Sequence, residues 1–279
     1  MDFYRYHGLG NDYLVVDPNK TSVPINEESV RAICKPHFGE GADGVLYGPL
    51  FTKSGDIQLR IFNPDGSEAE KSGNGTRIFA RYLVDEGYRN SVEPFSFQTL
   101  GGMVTAHVID RRNKIVMDMG AATFLSTKIP VLGEEREVVN EHLAVNGRKL
   151  TVTCVSMGNP HCVVPVNMLS KDLALEMGPH LENHAMFPNR TNVQFMRVID
   201  RHHIQIEIWE RGAGYTLASG SSSCAAAAAA FRLGLTQNTV KVQMAGGELE
   251  IVILDNYKIQ MTGPVVFVSK GVLSNEIFA

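Results

Sequence analysis

The sequence has few cysteines and no excess of positive charge. Only four cysteines occur among its 279 residues, and none of them forms a CxxC pair. Their spacings to His161 and His202 match no usual zinc pattern, so we expect neither a metal site nor redox chemistry. Lysine and arginine total 26 against 30 aspartates and glutamates, and the basic residues are scattered. A nucleic-acid partner is therefore not expected, because phosphate contacts require clustered positive charge.

Long hydrophobic runs are also missing. The longest one covers residues 225–231, far short of the roughly twenty residues that a bilayer requires. The opening residues, MDFYRYHGLGND, are polar and charged where a signal peptide has its apolar segment. We therefore expect a cytoplasmic protein with reduced thiols and no membrane partner. Apolar residues make up 44% of the chain and charged residues 20%, which is typical of a globular protein. The length leaves room for two domains.

Short strands separated by turns dominate the residue pattern, and helices are few. Strands are predicted at residues 2–6, 13–17, 57–62, 115–119, 204–209 and 249–253. Helices are predicted at residues 26–35, 75–86, 172–180 and 221–233. The last of these helices contains a run of six alanines, the residue with the highest helix propensity.

The chain repeats itself once, with an offset of about 147 residues. This offset relates the Ser-Gly step at Ser72 to the one at Ser219, and the strand end at Asn63 to the one at Glu210. Hairpins that begin at Gly101 and Gly246 continue the correspondence. Because several matches occur in the same order, we interpret the chain as two copies of one strand-rich unit, each with one long helix.

Each copy places a serine and a glycine at the start of its long helix. Free backbone N–H groups and the helix dipole make such a terminus a site for an anion such as a carboxylate. Two equivalent side chains, Ser72 and Ser219, suit a reaction in which one group removes an α-proton and the other returns a proton to the opposite face. Taken alone, either serine is more commonly a simple N-cap. The pairing through the repeat favours the functional interpretation.

Seven stretches of the sequence together carry a family resemblance. They are HGLGNDYLVVD from His7, GADGVL from Gly41, FNPDGSEAEKSGNGTRIFARYL from Phe62, VSMGNPHCVV from Val155, RTNVQFM from Arg190, ERGAGYTLASGSSSCAAA from Glu210 and MTGPV from Met261. In these stretches the chain resembles the diaminopimelate epimerase family, which inverts one α-carbon of 2,6-diaminopimelate without pyridoxal phosphate. The resemblance covers nearly the whole chain.

The resemblance implies a fold of the α/β (α+β) class with two pseudo-symmetric domains. Each domain is expected to be a β-barrel-like sheet around a central helix, with the active site in the cleft between the two. We expect one domain to comprise residues 1–120 plus 264–279 and the other residues 121–263. The resemblance further implies a small-molecule amino-acid substrate, no cofactor, no metal and a homodimer.

The resemblance also assigns functional residues position by position. It places the distal groups of the substrate against Asn11, Asn63, Asn159, Asn192, Glu210 and Arg211. It places the carboxylate of the reacting centre against Gly73, Asn74, Gly220 and Ser221. Ser72 and Ser219 occupy the two catalytic positions, and His161 and Glu210 match residues that tune the acid and the base.

Several positions depart from the family pattern. The two catalytic residues of the family are cysteines, whereas this chain has Ser72 and Ser219. A serine hydroxyl is much less acidic than a thiol and needs a strong neighbouring base. Tyr215 replaces a usual glutamate, Ser222 a usual glycine, and Lys71 a usual uncharged residue. Cys224 lies inside a predicted helix and is interpreted as a packing residue.

The leading hypothesis is the LL-to-meso epimerisation of diaminopimelate, a step of lysine and cell-wall precursor biosynthesis. Alternatives remain open because of the two serines. One is a related isomerase, racemase or dehydratase that acts on another amino acid. Others are an impaired homologue that only binds an amino acid, and a variant in which cysteines were exchanged for serines to trap a complex.

Overall fold

The computed structural model describes residues 1–21, 25–70 and 72–278. Contacts between residues divide the chain into two compact units. Unit 1 comprises Met1–Asp118 together with Gly263–Ala279, and unit 2 comprises Met119–Thr262. Lys71, one of the positions that depart from the family pattern, lies outside the described residues.

In its described residues, the first half of the chain contains eight strands and two α-helices. In chain order they are β1 (Asp2–Gly8), β2 (Asn11–Val16), α1 (Glu27–Cys34), β3 (Val45–Phe51), β4 (Ile57–Phe62), β5 (Glu68–Ala69), α2 (Gly73–Asp85), β6 (Phe95–Thr99), β7 (Gly102–Asp110) and β8 (Lys114–Ala121). Helix α1 begins at an Asn26 cap whose side chain accepts the Ser29 N–H, and Ser29 bonds back to Asn26. This reciprocal capping explains why the helix starts where it does.

As far as residue 278, the second half contains nine strands and two α-helices that precede β18 (Val266–Val272), and β18 itself belongs to unit 1. The elements are β9 (Glu141–Val145), β10 (Arg148–Ser156), β11 (Pro160–Pro165), α3 (Lys171–Glu182), β12 (Asn192–Asp200), β13 (His203–Glu210), β14 (Gly214–Thr216), α4 (Gly220–Arg232), β15 (Thr239–Met244), β16 (Gly247–Ile253), β17 (Lys258–Gly263) and β18 (Val266–Val272). None of the helices in the described part of the chain has the length and apolar character needed to cross a bilayer.

The strands of the two units pair in the same pattern. In unit 1, β1 pairs antiparallel with both β18 and β2, β2 pairs parallel with β3, and β3 pairs antiparallel with β4. In unit 2, β10 pairs antiparallel with both β9 and β11, β11 pairs parallel with β12, and β12 pairs antiparallel with β13. A parallel pair follows in each unit, β4 with β6 and β13 with β15. The repeat in the sequence is therefore also a repeat of topology.

One long helix packs against the sheet of each unit. Helix α2 contacts β1, β2, β3 and β7, and α4 contacts β10 to β13, β15 and β16. The six alanines of α4 are all fully buried. Small side chains let the helix approach the strands closely, and burial of the whole alanine face holds the helix in the core. The N-termini of these two helices carry the predicted catalytic serines.

The structure confirms the predicted fold class and the predicted elements. All four predicted helices are present, and their ends lie within two residues of the predicted ends. The six predicted strands are present with the same precision, and β4 has the predicted bounds, Ile57–Phe62.

Candidate active site

Ser72 caps helix α2 in unit 1. Its hydroxyl oxygen accepts the Gly75 N–H at 3.0 Å, and it also accepts the Tyr13 hydroxyl at 3.2 Å. Both bonds use the oxygen as acceptor, so the Ser72 proton remains available for donation. The Tyr13 phenol and the Ser72 hydroxyl therefore form a hydrogen-bonded pair at the N-terminus of α2.

Two predicted substrate-binding asparagines of unit 1 are hydrogen-bonded to each other, and a buried arginine holds one of them. Arg77, which is fully buried, donates to Asn74 Oδ1 at 3.0 Å. Asn74 Nδ2 donates to Asn11 Oδ1 at 3.2 Å, and Asn11 Nδ2 donates to Asp43 at 3.0 Å. These bonds fix which end of each amide faces which neighbour. The predictions from sequence did not include Arg77 or Asp43.

Asn63 closes a turn in unit 1, and Gly73 begins helix α2. Asn63 follows β4, and its Nδ2 donates to Ser67 Oγ at 3.0 Å across the turn. The backbone of the same turn closes through the bond from Asn63 N–H to Ser67 O. Gly73 is the first residue of α2 and is half-buried. Its N–H is one of the groups that a helix start leaves without an intrahelical partner.

Ser219 occupies the equivalent N-cap of α4 in unit 2 but has a different partner. Within the described residues its hydroxyl makes no capping bond to the helix. Its side chain lies instead beside the Glu210 carboxyl. Burial raises the pKa of the Glu210 carboxyl above its ordinary value, and the neighbouring Ser219 hydroxyl lowers it in part. The Ser219 hydroxyl is therefore placed beside a carboxylate of increased basicity.

A buried glutamate that sequence reasoning missed holds the turn after Glu210. Glu182, at the end of α3, accepts the Trp209 indole N–H at 2.7 Å and the Gly212 N–H at 2.8 Å. These two partners lie on either side of the Glu210-Arg211 dipeptide. Arg190 balances the charge through a 3.0 Å contact with the same carboxylate. No sequence signal marked Glu182, because its partners come from another strand and turn.

Asn192, at the start of β12, connects Pro160 with Arg211. Its Nδ2 donates to Pro160 O at 2.8 Å, and its Oδ1 accepts the Arg211 N–H at 2.9 Å. The Arg211 guanidinium donates to Asn189 O at 3.2 Å and is otherwise exposed. Asn192 therefore holds the strand end and the turn with one N–H and the oxygen of its amide.

His161 lies in a buried polar row of unit 2. It is fully buried, and burial lowers its pKa to about 3, so the ring is neutral at physiological pH. One ring nitrogen, Nε2, lies 2.9 Å from Asn159 Oδ1, and the other, Nδ1, lies 3.1 Å from Gln194 Nε2. Gln194 Nε2 also donates to Ser222 Oγ at 3.0 Å. The sequence predictions included Asn159 and His161 but not Gln194.

The first turn of α4 has backbone N–H groups that the Ser219 side chain does not cap. Gly220 is buried, and Ser221 is half-buried. Within the described residues, the Ser219 side chain accepts none of the N–H groups that a helix start leaves without an intrahelical partner. Such N–H groups bind a carboxylate well. The described ranges 1–21, 25–70 and 72–278 contain no cluster of three histidine, cysteine or carboxylate side chains that could hold a metal ion.

The positions that depart from the family pattern have partners of their own. The Tyr215 hydroxyl donates to Glu207 at 2.7 Å across β13 and β14, and Lys171 lies 4.9 Å from the Tyr215 ring centroid. Ser222 lies in the buried row just described. Cys224 is buried inside α4, as its position in the predicted helix indicated.

Comparison with known proteins decides the family. The chain matches the sequence profile of the family described as "Diaminopimelate epimerase" over residues 3–125 and 153–268. The chain belongs to the diaminopimelate epimerase family. Among curated relatives, "Diaminopimelate epimerase 2" of Nostoc sp. is 50% identical over 279 residues, which cover 100% of this chain and 98% of that protein. "Diaminopimelate epimerase 1" of the same organism is 40% identical and covers 98% of this chain and 99% of that protein.

Solved structures of lower sequence identity share the fold. A probable proline racemase from Agrobacterium radiobacter superimposes with a TM-score of 0.71 at 15% identity. The match covers 98% of this chain and 92% of the racemase chain. The similarity supports the two-unit α/β architecture of the diaminopimelate epimerase family.

Proposed function

We propose that this member of the family epimerises diaminopimelate at one α-carbon, from the LL to the meso form, without a cofactor. The observation that carries the proposal is membership of the family over the full length, with relatives of that name at up to 50% identity. The hydroxyl groups at the N-termini of α2 and α4 supply what a two-base reaction needs, one proton acceptor and one proton donor.

Glu210 and Ser219 form the base in this proposal. Ser219 Oγ takes the α-proton of the substrate while its own proton passes to a carboxylate oxygen of Glu210. The electron pair of the broken C–H bond stays on the substrate as a carbanion. Burial raises the pKa of Glu210, which makes it a stronger proton acceptor near neutral pH. A serine needs this help because its hydroxyl is weakly acidic.

Tyr13 and Ser72 form the acid. The Ser72 hydroxyl gives its proton to the other face of the carbanion, and the Tyr13 phenol, already donating to Ser72 at 3.2 Å, replaces that proton. The new C–H bond completes the inversion. Glu210 is then protonated and Tyr13 deprotonated, and exchange with water restores both groups before the next turnover.

Substrate binding is assigned to the remaining predicted residues. The N–H groups of Gly73 and Gly220 and the side chains of Asn74 and Ser221 hold the carboxylate next to the reacting carbon. The distal amino and carboxylate groups contact the second set, which is Asn11, Asn63, Asn159, Asn192, Glu210 and Arg211. A cytoplasmic location and a homodimer are part of the same proposal, because they follow from the family.

A deuterium experiment tests the proposal. Incubation with LL- or meso-diaminopimelate in heavy water should introduce deuterium at the α-carbon, measured by mass spectrometry or proton NMR. Changing Glu210→Gln removes the final proton acceptor and should slow exchange about a hundredfold or more. The Tyr215→Phe variant serves as a control, because it loses only a hydrogen bond to Glu207.

The double variant Ser72→Cys with Ser219→Cys completes the test. Thiols are more acidic than hydroxyls and should increase the exchange rate further. No label above the buffer background in the unchanged protein would overturn the proposal. Saturable binding without exchange would then identify an amino-acid-binding homologue, and label in a different amino acid would identify a related isomerase or racemase.

A further inference from the structure

Unit 2 contains a buried polar row that the proposed proton transfers do not use. It runs from Asn159 through His161 and Gln194 to Ser222, and the last three side chains are fully buried. Burial of polar groups is costly unless they are hydrogen-bonded. Gln194 Oε1 nevertheless has no hydrogen-bond partner among the described residues. A fully buried amide with one unpaired end calls for an explanation.

The geometry decides which way the Gln194 amide faces. Its nitrogen lies 3.1 Å from His161 Nδ1 and 3.0 Å from Ser222 Oγ, so it donates to both and leaves one carbonyl oxygen unpaired. Rotating the amide by half a turn would leave two N–H groups unpaired instead. Buried carbonyl oxygens without a partner are less costly than buried N–H groups without one. The observed orientation is therefore the favourable one.

This orientation fixes the proton on the histidine. Because Gln194 donates to Nδ1, that nitrogen is an acceptor, and the neutral ring carries its proton on Nε2. The Nε2–H then donates to Asn159 Oδ1 at 2.9 Å. The Asn159 amide is held by its oxygen, and its NH₂ group has no partner among the described residues. A free donor remains on a half-buried side chain that the family resemblance places against the substrate.

We propose that Gln194 and Ser222 are positioning residues, which hold His161 as the neutral Nε2–H form and so keep the Asn159 NH₂ group directed to the substrate. The part that concerns substrate rests on the proposed function. Ser222 acts by fixing the Gln194 nitrogen from the first turn of α4, the helix that also carries Ser219. The two residues act as a pair, since a glycine at 222 would leave the Gln194 nitrogen with one acceptor.

The strand register explains how the row forms. His161 on β11 lies opposite Asn192 on β12 in a parallel pair. Gln194 follows Asn192 by two residues, so both side chains project from the same face of β12. Helix α4 packs on β11 and β12 and brings Ser222 to this face. A residue one position earlier or later on β12 would point away from His161.

The first test measures the histidine directly. Protein labelled with nitrogen-15 in its histidines should show, by NMR, a His161 ring with the proton on Nε2 and a bare Nδ1 from pH 5 to pH 8. A proton on Nδ1 in the unchanged protein would overturn the inference. This measurement needs neither substrate nor a variant, so it stands even if the protein has no epimerase activity.

The second test is a double-mutant cycle on substrate binding. Gln194→Met should raise KM roughly tenfold, the scale of one hydrogen bond to a charged group, while kcat changes by less than about threefold. Ser222→Ala should act in the same direction with a smaller effect. If Gln194 acts through Asn159, the Gln194→Met substitution should raise KM little further in a protein that already carries Asn159→Ala.

The control variant separates positioning from general loss of stability. Thr153→Val, also fully buried in unit 2, removes a bond to the Asn140 N–H and should lower stability without changing KM or the His161 signals. Additive effects of Gln194→Met and Asn159→Ala on KM would overturn the inference. An inactive protein would refute the proposed function alone, and the dissociation constant for diaminopimelate would then replace KM in the same cycle.

Discussion

Two serines at equivalent places in the repeat have different partners. Ser72 accepts bonds from Gly75 and Tyr13, whereas Ser219 lies beside the Glu210 carboxyl. A phenol next to one hydroxyl and a carboxylate next to the other make the two groups chemically unequal. In the proposed reaction Ser72 passes on a proton that Tyr13 replaces, and Ser219 passes its own proton to Glu210. At the scale of single residues, the pseudo-symmetry of the chain is therefore broken where the proposed reaction needs an acid and a base.

His161 makes stability depend on pH. Burial lowers its pKa to about 3 in the folded protein, whereas the unfolded chain has the ordinary value of 6.5. Between these pKa values the unfolded state binds more protons than the folded state, so acid favours unfolding. The free energy of unfolding therefore falls as pH falls below 6.5. We expect protonation of His161 in the unfolded state to lower the free energy of unfolding by about 1.4 kcal/mol per pH unit from pH 6 to pH 4.

Urea-induced unfolding at several pH values measures this effect. The free energy of unfolding should fall less steeply with acid in the His161→Gln variant, because glutamine does not bind a proton in either state. Equal slopes for the variant and the unchanged protein would contradict the expected burial of a neutral imidazole.

The sequence predicted which residues belong to the candidate site more readily than it predicted their hydrogen-bond partners. The Ser-Gly steps and the asparagines next to turns are visible in the sequence, and so is Glu210. The partner of Ser219 is not visible in this way, because an N-cap serine usually bonds to its own helix. Glu182 and Gln194 also escaped prediction, since a buried glutamate or glutamine cannot be recognised without its neighbours.

At the scale of elements, the two central helices differ in how they start. The Ser72 hydroxyl accepts the Gly75 N–H, whereas Ser219 makes no such bond to Ser222 N–H, as described for α4. We expect Ser72→Ala to lower the free energy of unfolding by about 1 kcal/mol. The Gly75 N–H should also exchange faster with solvent deuterium, because it loses its acceptor.

Ser219→Ala gives the matched comparison. Hydrogen exchange followed by NMR should show no change in protection at the Ser222 N–H, since the replaced hydroxyl was not its acceptor. Ser72→Thr keeps a hydroxyl cap and should retain most of the protection at Gly75. Faster exchange at Ser222 in the Ser219→Ala variant would show that the two helices are capped alike.

Element bounds followed from local sequence because their causes are local. The alanine run predicted α4, and turn residues separated the strands. The pairing order was not available in the same way. A parallel pair such as β2 with β3, or β11 with β12, joins strands separated by a helix, and only packing of that helix on the sheet brings them together.

At the scale of the whole molecule, unit 1 is assembled from both ends of the chain. Strand β18 pairs with β1, and the N-terminal amino group of Met1 donates to Leu273 O at 3.0 Å. Leu273 is part of the same buried cluster as Phe3 and Ile33. Unit 2, by contrast, is one continuous segment.

Removal of residues 266–279 should therefore destabilise unit 1 selectively. Strand β1 loses one of its two neighbours and the cluster around Leu273 loses apolar area, so amide protection in β1 and β2 should fall. Protection in β10 to β13 should remain. Hydrogen exchange with mass spectrometry checks both regions, and removal of residues 275–279 alone is the milder control. An equal loss in both units would contradict this assignment.

The sequence by itself determined the repeat, the helices and strands, the family and the two serines that begin α2 and α4. These features depend on residues close in the chain, on spacing or on whole motifs. Tertiary structure alone decided that Ser219 lies beside Glu210 and that Gln194 lies between His161 and Ser222. The physical reason is that side-chain partners are chosen by strand register and helix packing, which join residues that are far apart in the chain.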